Sequence, residues 1–191
     1  MRIFRYHKHK ESIMTTKTLP ITEITLPSDE WAMQSFKENK SFSEETTCFT
    51  AVLVHLPTKY KMHVRNDGRG GSHFIDGDFQ HPKHREVQAL WAQFVLDCLP
   101  ALRESIKGSM YEYKTDWYLE PSSMDDESVV DLFVAEMQNQ QDLSRKRGVI
   151  VRNPDGDKGV FTQYPKATPE QLIGKVKGEF WDKKSKNWVA L

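Results

Sequence analysis

The sequence predicts an α+β protein, with a mostly antiparallel sheet built from two hairpins and one further strand, packed against three to four helices. Three observations predict this fold: two pairs of strand-like segments joined by tight turns, a wide helical stripe before Pro100, and an ordinary globular composition. Hydrophobic residues make up 38% of the 191 positions and charged residues 28%, which is typical of a chain that folds around a core. We expect residues 1–19 to form a flexible N-terminal arm and residues 20–191 a single α+β domain.

The charge balance limits the class of partner. The chain has 27 basic and 27 acidic residues, so any charged recognition surface must be local. Cys48 and Cys98 lie in apolar stretches, which is typical of buried thiols and not of a disulfide framework. No apolar run approaches the roughly 18 residues that span a bilayer. We therefore predict a soluble, cytoplasmic protein with no membrane partner.

The first elements predicted along the chain are a helix and a hairpin. Ser28 and the two acidic residues after it have the pattern of a helix start, with Trp31 and Phe36 as apolar contacts. Residues 47–56 are apolar on both faces, which predicts a central strand. Residues 59–65 alternate between apolar and charged side chains, which predicts a second strand paired with the first.

The segment after residue 82 gives the strongest helix signal. Its apolar residues recur at helical spacing and form a wide stripe: Val87, Leu90, Trp91, Phe94, Val95 and Cys98. Pro100 is expected to end or kink this helix. Alternation predicts a half-exposed strand over residues 111–120, and a capping box at residues 123–126 predicts the start of another helix.

The C-terminal part predicts a second hairpin and a short helix. Residues 149–152 and 159–164 flank a turn rich in Asn, Pro, Asp and Gly. Thr168 and the residues after it have the pattern of a capped helix start. The tail at residues 178–191 fits either a continued helix or a small hairpin, and its paired aromatic residues favour the hairpin.

The densest polar group lies between the first hairpin and the Trp91 helix. It holds seven side chains of the kinds that bind transition metals: His63, Asp67, His73, Asp76, Asp78, His81 and His84. A divalent transition metal held there could activate water, which would make the chain a metal-dependent hydrolase or phosphodiesterase. Polar loop chemistry explains the same residues, because no recognised metal-ligand spacing is present. On that interpretation no cofactor is expected.

Two basic groups are candidate partner-binding surfaces. The first follows a predicted strand and the loop after it: Lys59, Lys61, Arg65 and Arg69. The second lies in the C-terminal tail, where lysines stand among aromatic residues: Trp181, Lys183, Lys184 and Trp188. Each could hold an acidic protein surface or a phosphate backbone. The same residues are explained without a partner, because charged outward residues are expected on any half-exposed strand, lysines also protect strand edges, and buried aromatic rings anchor the tail.

No phosphate-binding glycine pattern and no nucleophile motif occurs in the chain. We therefore predict a non-catalytic protein that binds another protein, and an accessory or inhibitory protein of a mobile element is the kind of protein we expect. The metal-dependent hydrolase is the first alternative, and nucleic-acid binding through a local basic and aromatic surface is the second. The sequence leaves the oligomeric state open.

Overall fold

The computed structural model describes residues 15–106, 125–156 and 160–191. These contain two four-stranded antiparallel sheets, a two-stranded ribbon and three α-helices. The predicted α+β class is confirmed, whereas the single sheet is wrong, because the two predicted hairpins belong to separate sheets. The predictions for residues 1–14, 111–120 and 123–124 lie outside the described residues. The division into an arm and one domain stays a prediction, although residues 15–19 include a strand and the buried Leu19.

The first sheet has the strand order β3-β4-β5-β6. Its strands are β3 (Trp31–Glu38), β4 (Phe49–His55), β5 (Tyr60–Asn66) and β6 (Phe74–Gly77). The predicted hairpin of β4 and β5 is confirmed, with a register that runs from Phe49 opposite Asn66 to His55 opposite Tyr60. Because β4 and β5 are both interior strands, their apolar residues form the centre of the sheet.

The helix predicted from Ser28 is wrong, because this segment forms β3. Trp31 and Met33 are both buried and lie two residues apart, which is the spacing of one strand face. The hydroxyl of Ser28 accepts the N–H of Glu30 at 3.4 Å and so stabilises a turn. A register shift after Gln34 returns the next aromatic residue to the core, so the alternation is interrupted and resembles helical spacing.

Two long helices pack with the first sheet: α1 (His84–Ile106) and α2 (Asp125–Arg145). The principal core joins them to the sheet through large apolar residues, among them Trp31, Leu53, Met62, Trp91 and Phe133. The predicted stripe of α1 is buried apart from Leu90, and α1 continues through Pro100 instead of ending there. No helix of the described residues is long and apolar enough to cross a bilayer.

The second sheet has the strand order β10-β9-β7-β8. Its strands are β7 (Val149–Arg152), β8 (Phe161–Tyr164), β9 (Glu179–Asp182) and β10 (Asn187–Ala190). The predicted second hairpin and the hairpin interpretation of the tail are both confirmed. The short helix α3 (Pro169–Leu172) begins with the predicted capping box at Thr168.

A ribbon of β1 (Lys17–Thr18) and β2 (Thr25–Leu26) connects the two sheets through the loop between its strands. In that loop, the Pro20 carbonyl accepts the indole N–H of Trp188 at 2.7 Å. The N–H of Thr22 donates to the buried carboxylate of Glu136 at 2.9 Å. The loop is therefore held both by the second sheet and by α2.

Candidate functional site

The structure divides the seven predicted metal-ligand residues into two groups. Four of them line one open cavity of about 410 Å³ beside the ends of β5 and β6: His63, Asp76, Asp78 and His81. Lys59 and Lys61 line the same cavity. The other three lie elsewhere. Of these, Asp67 is exposed, and its carboxylate accepts the N–H of Arg69 at 3.1 Å in a local turn.

His73 fastens the loop after β5 to α2. Its Nε2 lies 2.9 Å from Oδ1 of Asp131, and its Nδ1 lies 2.9 Å from Nδ2 of Asn66. Since an amide nitrogen only donates, Nδ1 accepts and the ring proton resides on Nε2, which donates to Asp131. The backbone N–H of His73 also donates to Glu127 at 3.0 Å. Both ring nitrogens are thus occupied by contacts that hold the loop in place.

His84 lies buried at the start of α1 and supports the floor of the cavity. Its Nδ1 is 2.7 Å from Oη of Tyr60, which is 3.1 Å from the Asp78 carbonyl oxygen. A carbonyl only accepts, so Tyr60 donates to Asp78 while His84 donates to Tyr60. Burial raises the pKa of Tyr60, which keeps this donor protonated. A Cβ on Gly77 would lie 2.7 Å from Oη of Tyr60 and 3.1 Å from the His84 ring, so a larger residue there would have to displace this pair.

The cavity residues do not converge on one point. Within residues 15–106, 125–156 and 160–191, no three His, Cys, Asp or Glu side chains form a group that could hold a metal ion. Two of the cavity residues make local contacts: Asp78 accepts the N–H of Gln80, and His81 accepts the N–H of Lys83. The transition metal and the hydrolase activity therefore stay predictions without a convergent ligand set to support them.

The predicted basic row lies on the outer face of the first sheet. Lys61, His63 and Arg65 are exposed and alternate with the buried Met62 and Val64 along β5. β5 is an interior strand, since β4 pairs with one side of it and β6 with the other. Edge protection, which the sequence left open as an explanation of the lysines, therefore does not account for these three residues.

The register defines the neighbours of the basic row. His63 lies between Val52 and Asp76, and Arg65 lies opposite Phe74 on β6. The guanidinium of Arg65 is 4.8 Å from the centroid of the Phe74 ring, and its Nε is 4.0 Å from Oδ2 of Asp76. We use "outer face" for the surface formed by these residues: Val52, Lys61, His63, Arg65, Phe74 and Asp76.

Two exposed aromatic rings lie on β6 or just beyond it, and the sequence did not single out either of them. Phe74 is 51% exposed, and Phe79, just beyond β6, is 76% exposed. The signal that would have found Phe74 is its place on β6, a strand that the sequence did not predict. Aromatic residues and arginine are enriched at protein interfaces relative to the rest of the surface.

The C-terminal candidates occupy a different environment. Trp181 and Trp188 are buried and pack edge to face, with ring centroids 5.3 Å apart. Lys183 and Lys184 lie in the exposed turn between β9 and β10, and Nζ of Lys183 donates to the Lys146 carbonyl. The two tryptophan rings anchor the tail in a core. They present no open stacking face to a base or a partner.

His55 is a buried titratable group that the sequence did not single out, because it ends an apolar strand. Its Nδ1 lies 2.8 Å from Oγ1 of Thr58, and its ring lies 4.8 Å from that of Trp31. Among the described residues, its Nε2 has no hydrogen-bond partner, and a carboxylate oxygen of Glu30 lies 4.0 Å away. Burial lowers the pKa of His55, so the ring is held in its neutral form.

Comparison with known proteins gives no relative from which a function could be transferred. No family model, no curated protein and no solved structure matches the chain. The function must therefore be argued from the outer face and from the cavity at its end.

Proposed function

We propose that this chain is a non-catalytic binding protein that contacts another protein through the outer face of its first sheet. The observation that carries the proposal is the exposed row of Lys61, His63 and Arg65 on an interior strand. An interior strand needs no protection against pairing with another chain, so that explanation does not apply to these side chains. Their alternate positions along β5 place the three side chains next to each other on one face of the sheet. Arg65 is of a residue type enriched among interface hot spots, and the exposed Phe74 is of a type enriched at interfaces.

The partner that fits this surface presents carboxylates around an apolar centre. Neither Lys59 nor Lys61 makes an ion pair within the part of the chain that the structure describes. Both ammonium groups are therefore available to a partner. Opposite charges steer association and fix the register of two surfaces, while the aromatic ring and the valine side chain of Val52 supply apolar contact.

A protein partner fits this surface better than a nucleic acid does. Asp76 on β6 lies opposite His63, the middle residue of the basic row, and Asp78 lines the adjoining cavity, so a phosphate backbone would meet two carboxylates there. The tryptophans that could have stacked on bases are buried in the C-terminal hairpin. A protein surface can match mixed charges residue by residue, whereas a phosphate backbone carries one sign only.

Affinity capture from the source cell tests the proposal with a matched pair of variants. Lys61→Glu/Arg65→Glu reverses two charges on the outer face, and Lys175→Glu/Lys177→Glu reverses two exposed charges beyond α3. We expect the unmodified protein and the second variant to retain the same partner, and the first variant to lose it. Circular dichroism would establish that both variants fold. Equal retention by both variants would contradict the proposal.

Two further measurements test the alternatives. Fluorescence anisotropy with single-stranded and duplex oligonucleotides should show no affinity that falls steeply between low and physiological salt, and a steep fall would favour the nucleic-acid alternative. Elemental analysis after purification without a metal-affinity tag tests the hydrolase. A stoichiometric transition metal that is lost in His63→Ala/Asp76→Ala would favour that activity, because both side chains line the same cavity.

A further inference from the structure

Two adjoining cavities lie beside the N-terminal ribbon, where the ribbon meets the two sheets. One, of about 420 Å³, is bordered by the ribbon, β3, α2 and the turn between β9 and β10. The other, of about 470 Å³, is bordered by the ribbon and the second sheet. Because they share Lys17, Leu19, Pro20 and Lys186, we treat them as one site and call it the ribbon cleft. Its size and its position between structural units are typical of sites for small molecules.

One part of the ribbon cleft is apolar. Its wall is formed by side chains from three elements: Leu19 of the ribbon, Met33 of β3, and Phe133 and Met137 of α2. Leu19, Met33 and Phe133 also belong to the principal core, so packing holds them in place. An apolar group that enters this part leaves water, and each buried CH₂ group raises the affinity about fourfold.

Two lysines determine the charge that the ribbon cleft offers to a ligand. Lys17 and Lys186 border both cavities, and neither makes an ion pair among the described residues. The other charged side chains of the walls are already engaged. Glu136 accepts the N–H of Thr22 in the ribbon loop, and Arg152 pairs with Glu23 at 2.6 Å. The two ammonium groups therefore favour an anion, with which they can form charge-assisted hydrogen bonds.

The surroundings of the ribbon cleft are basic as well. Nζ of Lys183 donates to the Lys146 carbonyl, which places the turn between β9 and β10 beside the end of α2. Lys184 is exposed in the same turn. The sequence that precedes the ribbon also carries basic residues: Arg2, Arg5, Lys8 and Lys10. Because like charges repel, charge complementarity favours an anion from solution over this part of the chain as the occupant.

Backbone strain is concentrated in the same walls. Of the four non-glycine residues with a positive φ in the described ranges, three border the ribbon cleft: Glu23 (56°), Ser35 (51°) and Lys186 (52°). Such backbone is unfavourable for residues with a side chain, and it clusters at binding sites. At Ser35 it coincides with the register shift between β3 and β4, a feature that is common next to functional sites.

We propose that the ribbon cleft binds a small amphipathic anion, namely a carboxylate with an unbranched apolar tail. The carboxylate lies near Lys17 and Lys186, which both cavities share, and the tail extends over the apolar wall of Met33, Phe133 and Met137. None of the residues that form the outer face borders the ribbon cleft. The ligand site and the proposed protein-binding surface can therefore fail independently.

NMR of isotope-labelled methionine methyl groups tests the proposal with octanoate as the probe. Met33 and Met137 border the ribbon cleft, whereas Met62 lies in the core away from its walls. Octanoate should shift the signals of the first two saturably and leave that of Met62 unchanged. Octylamine, which has the opposite charge, and hexanoate, which buries two fewer CH₂ groups, should each bind about tenfold more weakly. No shift, or equal affinity for octylamine and octanoate, would overturn the proposal.

Charge reversal tests the position of the carboxylate. Lys17→Glu/Lys186→Glu should weaken octanoate binding at least about tenfold. Lys175→Glu/Lys177→Glu reverses two charges outside the ribbon cleft and should leave the affinity unchanged. An unchanged Met62 signal would establish that the core of each variant is intact. Lys17→Gln/Lys186→Gln, which removes both charges without reversing them, should weaken binding in the same direction. Equal octanoate affinity in the two charge-reversed variants would overturn the proposed site.

Discussion

Glu136 is the buried carboxylate that holds the loop of the N-terminal ribbon, and replacing it tests how that loop is stabilised. Its side chain is 3% exposed. It accepts the N–H of Ile21 at 3.2 Å, the N–H and Oγ1 of Thr22 at 2.9 and 3.1 Å, and Nε2 of Gln140 at 3.0 Å. The substitution Glu136→Ala leaves two backbone donors without their acceptor.

The expected loss of stability follows from these contacts. A hydrogen bond to a charged group contributes about 1.5–3 kcal/mol, so the two backbone bonds together contribute about 3–6 kcal/mol. Glu136 borders a cavity of about 420 Å³, and water entering there would solvate the freed N–H groups. We therefore expect a loss near the lower end, about 3 kcal/mol. For a chain of this length, that loss lowers Tm by about 6–12 °C.

Urea denaturation followed by tryptophan fluorescence measures the change. Gln140→Ala is the matched control, because it removes one side-chain contact to the same carboxylate and leaves both backbone donors paired. It should cost less than about 1 kcal/mol. A loss below about 1 kcal/mol for Glu136→Ala would refute the reasoning, since the ribbon would then be held by other contacts.

Three further predictions concern the first sheet. Burial lowers the pKa of His55 in the folded protein. Below pH about 6.5 the imidazole of the unfolded chain therefore binds a proton more readily than that of the folded chain. The free energy of unfolding should consequently fall as the pH drops through the folded pKa of His55. His55→Gln should show a smaller fall in urea midpoint between pH 7.5 and 5, and an equal fall would contradict this. In urea denaturation, Gly77→Ala should lower the free energy of unfolding by about 1–3 kcal/mol, because the new Cβ meets Tyr60 and His84. Gly71→Ala is the control, since the space around Gly71 is open, and it should be near neutral. Equal losses for the two variants would contradict the Gly77 contact. Leu53→Ala should cost about 2–5 kcal/mol by thermal denaturation and Leu56→Ala less than about 1, and a small loss for Leu53 would show that it does not lie in the core.

The hairpins were predictable because their signals are local. Tyr60, Met62 and Val64 alternate with charged residues within one strand, and the short turn at residues 56–59 brings that strand back onto its neighbour. The capping box at Thr168 is equally local, since its cap and its glutamine lie three residues apart. In each case the physical cause acts over fewer than about ten residues, so one sequence is enough to show it.

The errors arose where distant residues decide the structure. Ser28 and its acidic neighbours are a valid helix start, but pairing of Ala32 with Val54 makes the segment a strand. The division into two sheets depends on Val151 facing Phe180, and no local pattern reports that choice. Strand pairing and burial override the local helix propensity of a segment when the segment lies next to another strand and covers a core.

The candidate site shows the same limit. The seven metal-type residues are close in sequence, yet strand alternation sends His63 and Asp76 to the outer face while His73 contacts α2. The position of the basic row on an interior strand depends on β6, which the sequence did not reveal. The residue types of the site were thus predictable, whereas their grouping in space required the fold.

Lysine footprinting tests the central claim most directly, namely that the outer face of the first sheet is the binding surface. Acylation of each lysine would be measured by mass spectrometry, with and without the captured partner. We predict that the partner slows acylation of Lys59 and Lys61 severalfold and leaves Lys175 and Lys177 unchanged. Protection of the last two lysines, with Lys61 as reactive as in the free protein, would contradict the claim.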